Sequence, residues 1–284
     1  MEALVLLCLV LLTPGCGGQA GAAPAPAAQS SAQANVALLP QLLDMPGLDR
    51  QRQIRIYVPP SYASSGKRYP VLYMHDGQNL FDAATAYAGE WNVDETMNEL
   101  AASGQLELIV VGIDNGQDRR MTELNAWSNP AYGPAEGRQY MDFIVKVVKP
   151  LIDQQYRTRP ERADTAIMGS SMGGLVSHYA INQYPQVFGK AGIFSPSYWV
   201  AAPVFDFIAA QPAARDARLY LLMGQLEGGS MVPDVERAYA AVLGAGHPVG
   251  AVSLRIVPGA GHNEAFWRAE FRAAVLWLFA PELK

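Results

Sequence analysis

The chain has 284 residues, of which half are hydrophobic and 17% are charged, and its net charge is −5 with a pI near 5.4. This composition is typical of a folded globular protein and too apolar for a disordered one. No run of Lys and Arg occurs, which excludes the concentrated basic face that nucleic-acid binding requires. Both cysteines, Cys8 and Cys16, precede the globular part, so neither a disulfide framework nor a thiolate metal site is expected in it.

Residues 1–16 have the pattern of an export signal. The apolar run from Ala3 to Leu12 is too short to span a bilayer and has the length of a signal-peptide core. Gly15 and Cys16 follow, as at a bacterial lipoprotein cleavage site, where Cys16 would become the lipidated first residue. Thr13 in place of an aliphatic residue departs from that pattern, as does the lack of Lys or Arg before the run. Plain secretion, with cleavage in the Ala-rich stretch that follows, is the alternative.

The sequence therefore predicts an exported protein, either periplasmic or anchored to a bacterial membrane through Cys16. Residues 17–35 are rich in Ala and lack large apolar side chains from Gln19 to Gln33, which predicts a flexible tether. Residues 36–284 are expected to form one domain, because about 250 residues are enough for one α/β domain with a buried sheet.

Apolar, β-rich runs alternate with segments of helical periodicity beyond residue 35. This alternation predicts an α/β fold with a mostly parallel sheet, helices on both faces, and a ligand site at the carboxyl ends of the strands. The first strand is expected at a sheet edge, because Pro59 and Pro60 follow it. The predicted strands are Gln53–Val58, Pro70–His75, Leu108–Ile113, Thr165–Met168, Ala191–Phe194, Arg218–Met223 and Val252–Val257. The predicted helices are Val93–Ala102, Arg138–Tyr156, Met172–Tyr184, Pro203–Ala209, Val235–Leu243 and Glu264–Phe279.

The stretch Gly169-Ser170-Ser171-Met172-Gly173 matches the pattern G-x-S-x-G between a predicted strand and a predicted helix. In that context the central serine stands on a strained turn, which needs small residues two positions before and after it. Ser171 is therefore the candidate nucleophile, and Ser170 is its neighbour. The alternative is a Gly-rich turn with a capping serine. A P-loop is excluded because no Gly-Lys-Ser/Thr follows.

A general base for Ser171 must come from the same end of the sheet. His262 follows the last predicted strand in a Gly-rich loop, and it comes after the serine, as the chain order of such triads requires. His178 lies two turns along the helix, His247 precedes a strand at the opposite end, and His75 precedes the serine in the chain. The sequence therefore predicts His262 as the base.

The acid of the triad should follow the predicted strand 218–223. Glu227 does so, and it lies between Ser171 and His262 in the chain. Asp234 is the competing carboxylate, but it comes after Pro233 where a helix starts and can equally be an N-cap. We predict that Glu227 is the acid.

An oxyanion hole needs two preorganised N–H donors. One is expected from the amide of Met172, which follows the nucleophile, and the other from Gln78 in the loop after the strand 70–75. Gly77 would allow that loop to turn tightly. A Mg²⁺ site built on Asp76 and Asn79 is an alternative use of the same loop.

Several stretches together resemble the Putative esterase (esterase D-like) branch of the α/β-hydrolases, from about Val36 to Trp277. They are YVPPSY, YPVLYMHDGQNLFD, EWNVDETM, LIVVGIDNG, IMGSSMGG, FSPSYW and GHNEAFW. Members of this branch include enterochelin, feruloyl and acetylxylan esterases, S-formylglutathione hydrolase and the antigen 85 mycolyltransferases. The resemblance implies the α/β-hydrolase fold, the same triad of Ser171, Glu227 and His262, and the same two amides. Some relatives are thought to use a Ser–His dyad, which leaves the acid open.

The predicted function is an exported serine carboxylesterase that forms an acyl-enzyme on Ser171 and needs no cofactor or metal. Its substrate would be a small-molecule ester or an ester of glycan or siderophore type. Trp91, Arg120, Tyr198 and Trp199 follow strands and are candidates for substrate binding, with loop packing as the alternative for each. Two other functions stay open, an acyltransferase with the same triad and a catalytically silent lipoprotein that binds ligands.

Overall fold

The computed structural model describes residues 29–280, in which helices cover both faces of a mostly parallel sheet. The predicted α/β fold, with a mostly parallel sheet and helices on both faces, is confirmed. The strands are β1 (Val36–Leu38), β2 (Leu43–Met45), β3 (Arg50–Arg52), β4 (Ile54–Tyr57), β5 (Val71–His75), β6 (Ile109–Ile113), β7 (Thr165–Ser170), β8 (Lys190–Phe194), β9 (Arg218–Gly224) and β10 (Val252–Val257). The α-helices are α1 (Val93–Ala102), α2 (Arg120–Glu123), α3 (Gly137–Phe143), α4 (Lys149–Gln155), α5 (Met172–Gln183), α6 (Val204–Ala210), α7 (Met231–Gly244) and α8 (Glu264–Phe279).

The main sheet has eight strands in the order β1-β4-β6-β5-β7-β8-β9-β10, and β2 and β3 form a separate two-stranded sheet. The strands from β6 to β10 in this order run parallel to one another, whereas β4 is antiparallel to both of its neighbours. Because parallel strands end at the same edge, the loops after β5, β7, β8, β9 and β10 meet on one side of the domain.

Two hydrophobic cores lie on opposite faces of the sheet. In β5, Val71 and Tyr73 pack into one core while Leu72 and Met74 pack into the other, and all four are buried. Helices α1 and α8 cover the second face, and α3 to α7 cover the first. Burial on both faces explains why the central strands are continuous apolar runs rather than alternating ones.

The prediction that the first strand, 53–58, lies at a sheet edge is wrong. Strand β4 has a neighbour on each side, because Val36–Leu38 pairs antiparallel with its residues Arg55–Tyr57. The edge is therefore β1, whose three residues are too few for a hydrophobic period to be visible in the sequence.

The predicted helix Arg138–Tyr156 is divided into α3, a π-helical turn at Ile144–Val148, and α4. Pro150 has no N–H to donate, and its ring interferes with the carbonyl of the preceding turn, so the regular ladder is interrupted there. The segment stays helical overall, and only its hydrogen-bond pattern changes.

The flexible tether predicted over residues 17–35 does not extend to residue 35. The Oγ atom of Ser31 donates to Glu90 at 2.7 Å, and the backbone amide of Gln33 donates to Asp94 at 2.9 Å. Short polar side chains can hold a segment by hydrogen bonds, even where it has no apolar anchor.

The predicted signal peptide and the candidate lipidation site Cys16 fall in residues 1–28, outside the described residues. In the described range, 29–280, no helix has the length and apolar character needed to cross a bilayer.

Candidate active site

Ser171 occupies the turn between β7 and α5, with φ 59° and ψ −120°. Such a conformation is sparsely populated for a residue with a side chain and costs on the order of 1–3 kcal/mol. The turn also brings backbones close together. A Cβ atom on Gly169 would lie 2.9 Å from the carbonyl carbon of Gly173 and 2.9 Å from Cδ2 of His75. The sequence pattern G-x-S-x-G is therefore a steric requirement of this turn.

The hydroxyl of Ser171 faces a second serine in the loop after β8. The two hydroxyl oxygens, of Ser171 and Ser197, are 3.1 Å apart, and the amide of Ser197 donates to the Ser171 carbonyl at 3.1 Å. The amide of Ser171 donates in turn to the carbonyl of Phe194 at 2.9 Å. The turn that carries Ser171 is thus bonded both to the end of β8 and to the loop that follows it.

His262 and Glu227 form a direct hydrogen bond. The Nδ1 atom of His262 lies 2.7 Å from Oε2 of Glu227, and the carboxylate is buried while the imidazole is 35% exposed. Because an ionised carboxylate only accepts, Nδ1 carries the proton and Nε2 is left as an acceptor. The other carboxylate oxygen accepts from the Ser195 hydroxyl at 2.6 Å and from the Gly224 amide at 2.7 Å. Both oxygens are therefore fixed.

Trp267 in α8 completes the surroundings of this pair. Its indole Nε1 donates to the Ser195 hydroxyl at 2.8 Å, and its ring meets the His262 ring edge-on with centroids 4.9 Å apart. Sequence reasoning did not identify Ser195, Ser197 or Trp267. The signal was present, since all three lie in the stretches FSPSYW and GHNEAFW, which follow the ends of β8 and β10.

Asp234 lies apart from the histidine, and the interpretation of it as an N-cap is wrong. Helix α7 begins at Met231 with Ser230 as its N-cap residue, so Asp234 is in the first turn. Its carboxylate accepts from the Ser230 hydroxyl at 2.6 Å. A carboxylate near a helix N-terminus is stabilised by the amides and dipole there, which accounts for this residue without a catalytic role.

The other three histidines are engaged elsewhere. Nδ1 of His178 lies 2.5 Å from the Tyr198 hydroxyl, and Nδ1 of His75 lies 2.7 Å from the Tyr140 hydroxyl. Burial lowers the pKa of His75 to about 4 and that of His178 to about 3, so both rings are neutral at pH 7. His247 bonds the backbone carbonyl just before β9, at the opposite end of the sheet, as predicted.

The two predicted oxyanion-hole amides come shortly after β7 and β5, whose carboxyl ends lie on the same side of the sheet. Met172 is the first residue of α5, where amides have no partner within the helix, and Gln78 follows β5. The tight turn is made by Asp76, with φ 56°, rather than by Gly77. Gly77 is needed for close packing instead, because a Cβ atom there would lie 2.7 Å from the carbonyl carbon of Gly112.

The Asp76 carboxylate is paired with Arg120. Its two oxygens accept from Nε and Nη2 of Arg120 at 2.6 and 2.8 Å, and Asn115 donates to the first at 2.7 Å. Burial alone would raise the pKa of Asp76, but the guanidinium outweighs it and the pKa is lowered. Because a cation already occupies this carboxylate, the alternative of a Mg²⁺ site on Asp76 and Asn79 is not supported.

Ser171 and His262 open into one cleft of about 820 Å³. Tyr87 on its rim is 92% exposed. Another cavity, of about 760 Å³, is formed by residues 44–51 and contains none of the candidate catalytic groups. The remaining residues that line the cleft are Asp76, Gln78, Asn79, Thr85, Ala86, Ala88, Asn115, Gln117, Arg120, Ser170, Glu264 and Trp267.

Of the four predicted substrate-binding residues, Arg120 lines the cleft. Trp91 is 3% exposed and stacks on Phe194 with ring centroids 5.7 Å apart, and Tyr198 is fully buried. The prediction that these two aromatic residues line the pocket is wrong, because their rings fill the core behind it. Trp199 is 50% exposed but is not among the residues that line the cleft.

The chain matches a known protein family over most of its length. The sequence profile of the family described as Putative esterase matches residues 46–278. A relative in Bacillus subtilis (strain 168), the uncharacterized protein YbbA, is 28% identical over 246 residues, which cover 80% of this chain and 92% of that protein. The similarity therefore extends over most of the described chain.

Solved structures share the fold. A ferulic acid esterase superposes with a TM-score of 0.65 at 19% identity, covering 86% of this chain and 98% of that one. The enterobactin esterase FES from Shigella flexneri superposes with a TM-score of 0.71 at 19% identity, covering 88% of this chain and 60% of that one. At such identities, the likeness extends to the backbone and not to the choice of substrate.

Proposed function

Because the chain belongs to the Putative esterase family of α/β-hydrolases and is an ester-hydrolysing enzyme, we propose that it is a serine carboxylesterase with a triad of Ser171, His262 and Glu227. The observation that carries this proposal is the 2.7 Å hydrogen bond from His262 to a buried Glu227, in a cleft that Ser171 shares. The strained backbone turn at Ser171 is a second support, because strain of this kind is usually retained at functional sites.

Acylation starts when the Ser171 hydroxyl turns from Ser197 towards Nε2 of His262. The imidazole takes the proton as the serine oxygen attacks the ester carbonyl carbon. The imidazolium that forms is stabilised by Glu227, whose orientation the Ser195 hydroxyl and the Gly224 amide fix.

The negative charge that develops on the carbonyl oxygen is stabilised by the amides of Met172 and Gln78. The tetrahedral intermediate then collapses, the alcohol leaves with the proton from His262, and the acyl group remains on Ser171. A water molecule gives its proton to His262, attacks the acyl carbonyl, and releases the carboxylic acid. As the second tetrahedral intermediate collapses, the bond between the acyl carbon and the Ser171 oxygen breaks, and His262 returns the proton to that oxygen.

The substrate we propose is a small-molecule ester or an ester of glycan or siderophore type. The similar solved structures are a ferulic acid esterase and an enterobactin esterase, and both names describe esters with bulky groups. The cleft is wide enough for such groups, and the exposed ring of Tyr87 at its rim offers a surface for stacking. Arg120, although paired with Asp76, adds hydrogen-bond donors to one wall.

Labelling with a fluorophosphonate tests the nucleophile, because the reagent modifies an activated serine and the modified peptide identifies it. The expected site is Ser171. Comparison of kcat/KM for p-nitrophenyl esters, feruloyl and acetylated sugars, and catecholate esters then tests the substrate class. Product analysis with added sugar or lipid acceptors separates hydrolysis from acyl transfer. A protein that takes no label and hydrolyses none of these esters would contradict the proposal.

We also propose export and a membrane tether through a lipidated Cys16. The support is the sequence alone, namely the apolar run Ala3–Leu12 followed by Gly15 and Cys16. Residues 30–35 are bonded to the domain, so the tether would be the stretch between Cys16 and residue 29.

A further inference from the structure

Three carboxylates meet at the N-terminal end of α1, outside the cleft. Glu90, Asp94 and Glu95 each bring an oxygen within 4.8 Å of the oxygens of the other two. Glu90 is 6% exposed and Asp94 is fully buried, so their charges are largely removed from solvent. Burial of ionised carboxylates is costly unless a counter-charge compensates it.

Each carboxylate has one oxygen bonded to the N-terminal segment and one oxygen without a partner. Glu90 accepts from Ser31 Oγ at 2.7 Å, Asp94 from the Gln33 amide at 2.9 Å, and Glu95 from Gln33 Nε2 at 3.2 Å. The second oxygens, Oε1 of Glu90, Oδ1 of Asp94 and Oε2 of Glu95, are buried and accept no hydrogen bond from an N–H group or a hydroxyl. Unpaired buried oxygens are uncommon, and three in one cluster call for a ligand.

The side chain of Arg268 does not supply a hydrogen bond to these oxygens. Nη1 of Arg268 donates to the backbone carbonyl of Glu90 at 3.0 Å and to the Asn92 side chain at 3.3 Å, and to none of the three carboxylates. Among the residues that the structure describes, no basic side chain therefore bonds the three carboxylates directly.

The geometry points to a site for a hard divalent cation, with Ca²⁺ as the best fit, held by the carboxylates of Glu90, Asp94 and Glu95. Carboxylate oxygens are the ligands that Ca²⁺ prefers, and one ion at about 2.3–2.6 Å from each oxygen spans the observed spread. Mg²⁺ shares the ligand preference but requires shorter distances and stricter geometry. Water would complete the coordination shell.

A bound cation would fasten the N-terminal segment to the domain. Ser31 and Gln33 already bond the three carboxylates, and Ser30 bonds Asp82 at 2.8 Å, next to the loop that carries Thr85 to Ala88 along the cleft. This role is structural and does not depend on the proposed catalytic triad.

Terbium luminescence and thermal unfolding test the site on the purified full chain without a polyhistidine tag, after treatment with a chelator. Tb³⁺ substitutes for Ca²⁺, and the indole of Trp91, adjacent in sequence to Glu90, is placed to sensitise its emission. We expect saturable emission that Ca²⁺ displaces. We also expect Ca²⁺ to raise Tm by about 5 °C or more when its concentration is on the order of 100 times Kd. Mg²⁺ should have the smaller effect.

Asp94→Asn and Glu90→Gln should remove both the emission and the Ca²⁺-dependent rise in Tm, whereas Glu236→Gln on the exposed face of α7 should keep both. If either buried variant fails to fold, Glu95→Gln at the partly exposed ligand gives the same comparison. Absence of sensitised emission together with a Tm that Ca²⁺ leaves unchanged would overturn the proposal. The cluster would then hold a proton, and Asp94→Asn would raise Tm without any cation. Ester hydrolysis is not a readout, so this outcome is independent of the proposed function.

Discussion

Ser170 and Ser171 are neighbours in the chain, yet only one of them has the backbone of a nucleophile. Ser170 ends β7 in ordinary extended conformation, whereas Ser171 stands on the strained turn with its hydroxyl towards Ser197. We expect Ser171→Ala to lower kcat for ester hydrolysis by about 10⁴-fold or more, because nucleophile and base act as a unit. Steady-state kinetics with a p-nitrophenyl ester measures this loss.

Ser170→Ala is the matched control, and its kcat should stay within about tenfold of wild type, since the Ser170 hydroxyl has no role in acyl transfer. Mass spectrometry after organophosphate treatment should find the adduct on Ser171. An adduct on Ser170 would mean that Ser170, and not Ser171, is the nucleophile.

Glu227 is held so that only one of its oxygens can face the histidine. In Glu227→Gln the amide oxygen can still accept from Ser195 and Gly224, which directs the NH₂ group at Nδ1 of His262. Two donors then oppose each other, and the imidazole is driven to the wrong tautomer. We expect kcat to fall by roughly 10²–10⁴ with little change in KM.

Asp234→Asn is the comparison variant for the acid, because both substitutions remove one negative charge at the same end of the sheet. It should lose at most about 1 kcal/mol of stability, through weaker charge complementarity at the start of α7, and keep wild-type kcat. A large loss of kcat confined to Asp234→Asn would contradict the assignment. Wild-type activity in both variants would favour a Ser–His dyad.

At the scale of elements, Trp91 joins the start of α1 to α8. Its ring packs on Trp267 with centroids 5.9 Å apart, as well as on Phe194. Trp91→Ala should reduce the free energy of unfolding by about 3–5 kcal/mol, the usual cost of removing a buried aromatic side chain. Urea denaturation followed by circular dichroism measures this change.

Trp199→Ala removes an equally large side chain from a half-exposed position, where its ring meets the Tyr132 ring edge-on with centroids 5.8 Å apart, and should change the free energy of unfolding by less than about 1.5 kcal/mol. If Trp91→Ala instead kept wild-type stability but raised KM, Trp91 would be a pocket residue after all.

Sequence patterns located the long elements well. Helices α1 and α8 and strand β10 have the predicted ends, and the other predicted strands differ by one or two residues at an end. These elements are buried on one or both faces, so their hydrophobic pattern is strong. Strands β1, β2 and β3 were not predicted, because elements of three residues carry no detectable period. Their pairing depends on tertiary contacts that the local sequence does not encode.

The three triad candidates could be predicted because their positions after strands and their order in the chain are enough to identify them. Ser171, Glu227 and His262 follow β7, β9 and β10, and they are brought to one side of the sheet. Ser195 and Trp267 also follow the ends of strands, but position alone does not assign them a supporting role, since that role depends on side-chain direction. Trp91 and Tyr198 were misassigned for the same reason, as a position after a strand does not tell a pocket from a core.

For the whole molecule, the buried histidines give a specific dependence of stability on pH. His75 has a pKa of about 4 in the folded protein, against about 6.5 when unfolded, so the unfolded chain binds more protons between these values. The stabilisation is complete above pH 6.5 and is lost as the pH falls towards 4. It amounts to about 2 kcal/mol between pH 7.5 and pH 5. His178, with a pKa of about 3, acts in the same direction.

Burial raises the pKa of Asp94 to about 8, and this group makes stability depend on pH in the opposite direction. Its folded form binds more protons than its unfolded form between about pH 4 and pH 8. The clean measurement is therefore a difference between proteins. Urea denaturation of wild type and His75→Gln at pH 7.5 and pH 5 should give a smaller acid-induced loss in the variant. Identical losses in both proteins would contradict the expectation.

Membrane attachment is also a property of the whole molecule, and it rests on Cys16. If this cysteine is lipidated, wild-type protein should sediment with membranes, and Cys16→Ala should be soluble with unchanged kcat/KM, since the anchor lies far from the triad in the chain. Fractionation of the expressing cells followed by an esterase assay measures both. Soluble wild-type protein with an N-terminus at or beyond Ala20 would contradict lipidation.

Within residues 29–280, the outermost parallel strand, β10, pairs with β9 alone. The loop that contains His262 follows this strand directly, whereas Ser171 follows β7 in the interior of the sheet. An edge strand can fray at a smaller free-energy cost than the domain needs to unfold. We therefore expect mild heat or denaturant to loosen the loop of His262 before the interior strands of the sheet separate. We therefore expect activity to be lost at a lower denaturant concentration than the circular-dichroism signal of the fold, and to return on dilution.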